Sequence, residues 1–238
     1  MKRMLLLMIL LCFLLAGCGS SEATPPADTT PVTEAETVPE TTVAEETTVT
    51  AETAEPSFTV YPLPDTTMEN LSDAILSVSL DENSAYIDET GTMQMALKIY
   101  SYDRYDMVDI SLLKVGDTIV THTGEVKITA LVKAEDGAIS INGGFEEDGF
   151  DLVTDDSGIF YERGLNDIKN WYEAGTATIR VSPDFVAYDR ADLEQGEVIL
   201  NPENFLSSEL VIYDFTPYNT TVRVEAGQIV ELERSYTP

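Results

Sequence analysis

The clearest signal along this chain is alternation of apolar and polar positions, confined to its last three quarters. Met93, Met95, Leu97 and Ile99 alternate with Gln94, Ala96, Lys98 and Tyr100. Val126, Ile128, Ala130 and Val132 alternate with Lys127, Thr129, Leu131 and Lys133. Ala177, Ile179 and Val181 alternate with Thr176, Thr178 and Arg180, and Val222 and Val224 precede Ile229, Val230 and Leu232. A period of two predicts half-buried β-strands. The strand candidates are separated by Thr90-Gly91, Thr123-Gly124, Asp136-Gly137, Ser157-Gly158 and Ala226-Gly227. Each supplies a glycine able to take positive φ in a tight turn. Helical pattern is sparse. One short helix is expected within 105–114, with Met107, Val108, Leu112 and Leu113 as its apolar face. Another is expected over Pro202–Ser207, with Asn201 as cap and Pro202 at the first helical position. The fold class expected is mainly β: an antiparallel β-sandwich or barrel with one or two short helices.

The pattern changes completely before residue 58. Lys2 and Arg3 precede an apolar run over 4–14, and Leu15-Ala16-Gly17-Cys18 closes it. This is a secretory layout, too short for a membrane span of roughly 18 to 20 residues. A signal peptide without lipidation, carrying an incidental cysteine, stays open on the layout alone. Residues 19–57 then contain Thr, Glu, Ala, Pro, Val and Ser in abundance and no Lys, Arg or aromatic residue. So little apolar surface cannot offset the entropy of ordering, and the segment is expected to be a disordered spacer. As a flexible coil it would reach ~35 Å. The expected organisation is therefore signal peptide 1–17, linker 18–57 and an acidic β domain 58–238, which could divide into two subdomains near 136–150.

The run Leu15-Ala16-Gly17-Cys18 resembles the lipobox of bacterial lipoproteins. The resemblance implies cleavage before Cys18 and a diacylglyceryl group on its sulfur. That predicts an exported protein, lipid-anchored on the extracytoplasmic face of the cell membrane. The Thr/Glu/Pro spacer is similar to tethers on surface lipoproteins of Gram-positive bacteria. The chain has two cysteines, Cys12 and Cys18. With Cys12 leaving in the signal and Cys18 acylated, the displayed domain would hold no thiol. Cysteine proteolysis, a Cys-ligated zinc and CxxC redox chemistry are excluded on that reading.

Charge narrows the partners. The chain carries 43 Asp+Glu and 13 Lys+Arg. Setting aside nine spacer acids together with Lys2 and Arg3 leaves 34 acids and 11 bases, a net 23 negative, in 58–238. Nucleic acid is not expected as a partner, because its phosphates require Lys and Arg. Solubility through self-repulsion is one reading of the charge; attraction of cations or basic partners is the other.

Leu112-Leu113-Lys114-Val115-Gly116-Asp117-Thr118-Ile119 resembles the Leu-x-x-Gly-Asp-x-Ile turn of several small β-barrels. There Gly turns the chain, Asp bonds loop amides and the next apolar residue starts a strand. The resemblance covers about 20 residues, through Thr123-Gly124. Families with this turn include self-splicing elements, whose required cysteine is absent from the displayed domain, so that activity is not carried over.

Candidate chemistry is thin. His122 is the only histidine and cannot supply a zinc cluster alone. No Gly-x-Ser-x-Gly elbow is present. Asp156-Ser157-Gly158 matches one aspartic-protease loop, but two are required, and Asp88-Glu89-Thr90-Gly91 has Glu at the acid position. A turn accounts for it better. Glu146, Glu147, Asp148, Asp151, Asp155 and Asp156 crowd eleven positions. They are candidate Ca²⁺ ligands, since Ca²⁺ takes six to eight oxygens, although EF-hand spacing is absent and a solvated loop is the plainer reading. Trp171 and Tyr172, with Tyr100, Tyr102 and Tyr105 as a second group, are candidate ligand-stacking rings, though such rings also fill cores. The functional expectation is a non-enzymatic binding or interaction domain for an unidentified protein or glycan. The alternatives are a carboxylate-dependent extracellular hydrolase, for example on glycans, and an envelope-assembly factor.

Overall fold

A computed structural model describes residues 57–208 and 215–237. The signal, Cys18 and the spacer up to residue 56 lie outside the described residues. The fold is mainly β, as the alternation predicts, and the described residues belong to one compact unit.

Five strands close on themselves: β2 (Ala74–Ser79), β4 (Met93–Ser101), β12 (Tyr172–Arg190), β14 (Thr220–Glu225) and β15 (Gln228–Ser235). β2 joins β4 and β14, β14 joins β15, and β12 joins both β15 and β4. Closure depends on the 19-residue β12. Its first half runs antiparallel to β4, from Tyr172 opposite Ser101 to Arg180 opposite Gln94. Its second half runs parallel to β15, up to Arg190 opposite Ser235. Shifts of register at 173/175 and 181/186 bend it enough to serve both neighbours. β3 (Ala85–Ile87) and β13 (Val198–Leu200) extend the sheet at its margins.

The inward residues of this barrel are those of the period-two pattern. Met95, Leu97, Ile99, Ile179, Val181, Val222, Val224, Ile229 and Leu232 are all buried in one cluster. Each fully buried side chain of this size contributes about 1.5–3 kcal/mol. Helix α2 (Pro202–Ser207) starts where the sequence predicts, with Asn201 Oδ1 accepting from Asn204 N at 2.9 Å. It inserts Phe205 against Phe185 and Phe215, with ring centroids 5.6 and 6.2 Å away.

The remaining strands enclose a second cluster. β5 (Arg104–Tyr105), β11 (Phe160–Arg163), β10 (Phe150–Thr154), β9 (Ile139–Ile141) and β8 (Leu131–Lys133) form an antiparallel sheet in that order. β1 (Thr59–Val60), β6 (Thr118–Thr121) and β7 (Gly124–Lys127) form a small sheet in which β1 and β6 are parallel. Val60, Tyr105, Ile110, Ile119, Ile141 and Leu152 pack together between them. Residues on both sides of 136–150 fill this one cluster.

The turn through Gly116 and Asp117 has the geometry its resemblance implies. Gly116 takes φ 98°, and Asp117 is fully buried. Its Oδ1 accepts from Phe58 N at 2.8 Å and its Oδ2 from Lys114 N at 2.9 Å. Thr118 then opens β6, with Ile119 inside.

Two expectations need correction. Helix α1 spans only Met107–Leu112, and its inward residues are Ile110 and the following Leu113. Met107, Val108 and Leu112 are exposed, because so short a helix buries a single i, i+3 row. The run from Val126 to Val132 is two strands rather than one. Ile128 is buried, but Val132 is exposed. Asn142 breaks the run: its Oδ1 accepts from Thr129 N (2.8 Å) and Ala130 N (3.2 Å), while its Nδ2 donates to Lys127 O (2.9 Å). One side-chain amide thus replaces ladder partners at the bend.

Candidate ligand groove

β11 runs into a tight loop that returns the chain to the barrel. Gly164 N donates to Ile168 O at 2.5 Å, and Asn170 N donates to Glu162 O at 3.0 Å. Asn166 and Asp167 take positive φ, 56° and 61°, to make the reversal. The loop delivers Lys169, Asn170 and Trp171 beside Glu162. Asn170 Nδ2 donates to Glu162 Oε1 at 2.8 Å. Burial pushes the Glu162 carboxyl above its ordinary range; the Asn170 hydrogen bond and His122 oppose this, and Asp103 adds to it.

Trp171, the only tryptophan, meets Tyr102 edge to face at 4.9 Å, and Tyr102 meets Tyr161 in the same way at 6.0 Å. Lys169 Nζ donates to Tyr102 Oη at 2.9 Å and lies 4.2 Å from the centre of that ring. The rings of Tyr161 and Trp171 are 5.3 and 5.9 Å from the same ammonium. Cation–π attraction and edge-to-face packing thus hold the Trp171 ring in place without burying it.

Two concavities flank this ridge. One, of ≈ 410 Å³, is lined by Glu162, Leu165, Asn170, Trp171 and Tyr218 among others. The other, of ≈ 370 Å³, shares Lys169, Trp171, Pro217 and Tyr218 with it and continues past Ser77 and Thr221 to Glu233. Tyr218 is 49% exposed.

Trp171 and Tyr172 part company. Trp171 lines both concavities, whereas Tyr172 stacks on the His122 ring at 4.5 Å with planes 21° apart. Successive residues entering a strand point to opposite faces, so adjacent rings cannot share a binding surface here. Burial pushes the Tyr172 phenol above its ordinary range. His122 is held by Asp103, whose Oδ2 accepts from His122 N at 2.7 Å and lies 3.0 Å from Nδ1. Tyr105, of the second aromatic group, is a core residue whose hydroxyl donates to Val120 O at 3.0 Å.

The six clustered acids are spread over both ends of β10. Glu146, Glu147 and Asp148 are exposed around a 3₁₀ turn, Phe145–Glu147. Asp151 turns inward, accepting from Ser140 Oγ at 2.6 Å and Arg163 Nη2 at 2.8 Å. Burial pushes its carboxyl up, but these hydrogen bonds and the Arg163 charge outweigh it and hold the group below its ordinary range. Asp155 lies four residues farther along an extended strand, about 13 Å away. Among the described residues, no group of three or more His, Cys, Asp or Glu converges so as to hold a metal ion.

Asp155 is the acid that organises Asp156-Ser157-Gly158. Its Oδ1 accepts from Ser157 N (2.9 Å), Ser157 Oγ (2.5 Å) and Ile159 N (3.2 Å). Asp88 does the same with Thr90 N, Thr90 Oγ1 and Thr92 N. The two loops are thus one turn type, Asp-x-Ser/Thr-Gly, used at two hairpins, with each carboxylate committed to its own backbone.

Sequence patterns did not single out Glu162, Lys169, Asn170 or Tyr218 for this groove, nor Asp103 behind it. Trp171 and Tyr102 were visible as aromatic residues, but Tyr218 lies 47 positions from Trp171 and has no periodic relation to it. No family model matches this chain, and neither the curated proteins nor the solved structures contain a match to it.

Proposed function

We propose that the protein is an extracytoplasmic lipoprotein, acylated at Cys18, that displays a non-enzymatic β-rich binding domain beyond the 18–57 spacer. The lipobox-like residues support the anchor. The binding role rests on one observation: Trp171 and Tyr218 line open concavities beside the hydrogen-bonded Glu162/Asn170 pair. Most concave ligand sites combine such rings with a few placed polar groups.

Intact-mass analysis of the full chain expressed in a bacterium tests the anchor. A chain beginning at acylated Cys18 is expected; an unmodified Cys18 or a different start overturns it. Glycan and peptide arrays probed with the full chain and its Trp171→Ala variant test the groove. A ligand lost in the variant is expected, and ligands bound equally by both forms would place binding elsewhere.

A second reading, a carboxylate-dependent hydrolase, is favoured by the raised Glu162 carboxyl within the same concavity. A protonated carboxyl can serve as a general acid. Turnover of a bound glycan that disappears in Glu162→Gln while binding persists would establish it.

A further inference from the structure

We infer that the groove takes a neutral oligosaccharide that crosses the 169–171 ridge and fills both concavities. This rests on the binding role proposed for the groove and names its ligand class.

The two concavities share Lys169, Trp171, Pro217 and Tyr218, so they adjoin along this ridge. At ≈ 410 and ≈ 370 Å³, each is at the low end of small-molecule sites, and a ligand filling both is a chain of rings. Trp171 and Tyr218 line both concavities, and aromatic rings so placed can pack against the C–H faces of a sugar. The Glu162/Asn170 pair in one concavity, and Ser77 and Thr221 in the other, offer donors and acceptors for sugar hydroxyls. Such alternation of apolar face and polar rim matches a pyranose.

Charge argues for a neutral chain. The 23 net negative charges of 58–238 oppose an anionic polymer, and the two concavities are lined by two acids, Glu162 and Glu233, and two bases, Arg163 and Lys169. With acids and bases balanced along the walls, the groove holds no local excess of either sign to recruit a charged ligand.

An extended peptide commonly binds by adding a strand to an open sheet edge. The walls here offer none among the described residues. Thr221 pairs with Ser77 on one side and Glu233 on the other, and Glu162 and Arg163 pair with Leu152 and Asp151 on one side and meet Asn170 N and Lys169 on the other. The ligand must therefore be read by side chains rather than by main-chain pairing.

Because Trp171 is the only tryptophan, its fluorescence reports the groove directly. The full chain in mild detergent is titrated with neutral oligosaccharides of one to six rings, their uronic-acid counterparts and array peptides. Expected is a saturable emission change with a neutral series, with affinity rising at least tenfold from one ring to four and then levelling. Tyr218→Ala is expected to lower affinity at least tenfold with an unchanged Tm. Affinity independent of ring number would overturn the two-concavity arrangement. Saturable binding of peptides or uronic-acid chains alone would overturn the ligand class while leaving a groove that binds. No saturable ligand of any class would overturn the inference and the binding role together.

Discussion

The closed barrel and the sheet built on β10 treat buried polar groups differently. The barrel interior is aliphatic and aromatic, and its principal buried charges are one pair, Asp189 and Arg234, opposite each other on β12 and β15. That pair is bidentate, with Nε to Oδ1 at 2.9 Å and Nη2 to Oδ2 at 2.7 Å, and the guanidinium lies 5.1 Å from the Phe215 ring. In the second region, buried carboxylates hold loops instead. Asp117 fixes the turn into β6, Asp103 fixes His122, and Asp151 fixes Arg163 beside the loop after β11. Four of the six non-glycine residues with positive φ fall there as well: Asn142, Asp148, Asn166 and Asp167. Ladder pairing satisfies the barrel backbone apart from its few register shifts. The second region spends polar side chains on irregular backbone, and that irregularity shapes the groove.

Asp189→Ala should give the largest effect. It leaves a buried guanidinium without its bidentate partner and is expected to cost about 3–5 kcal/mol in urea unfolding. The double variant Asp189→Ala/Arg234→Met should recover most of that loss, since no buried charge is then left without a counter-ion. A double variant as unstable as the single one would mean that the pair is required for closure itself.

Asp117→Asn should cost less, about 1.5–3 kcal/mol, because it turns one of two accepting oxygens into a donor facing an N–H. If the loss equals that of Asp189→Ala, the second region is as dependent on buried charge as the barrel.

The pH dependence is the subtlest contrast. Glu162 is raised in the folded protein, so its contribution is present below the ordinary carboxylate range and fades as pH rises through its folded value. Asp151 is lowered, so its contribution is present above that range and fades as pH falls through its folded value. Glu162→Gln should therefore gain stability relative to the parent chain at neutral pH, and Asp151→Asn should lose it. Both differences should shrink on acidification, as followed by unfolding curves between pH 3 and 7. Parallel shifts in the same direction would refute the assignment of opposite environments.

The barrel was legible along the chain because each inward strand repeats with period two. The positions from Met93 to Ile99 bury in that order, and Val222 and Val224 do the same. The cap at Asn201 and the Gly116-Asp117 turn were legible because their chemistry is local. The break at Ile128 was not, since the amide that causes it belongs to Asn142, fourteen residues away. The groove was legible only as isolated rings. Trp171 and Tyr172 look equivalent in a row of letters, and the pleat sends them to opposite faces.

Alternation, turn glycines and capping residues thus determined that the chain makes short strands and two small helices. The run to Cys18 and the spacer composition set the expectation of a displayed, tethered domain. Tertiary structure alone decided that β12 bends to close a barrel, that Asp189 meets Arg234, and that Trp171, Glu162 and Tyr218 share one groove. Period and local chemistry act over a few residues. Closure and convergence depend on which distant backbones pair, and pairing is fixed only when the whole chain has packed.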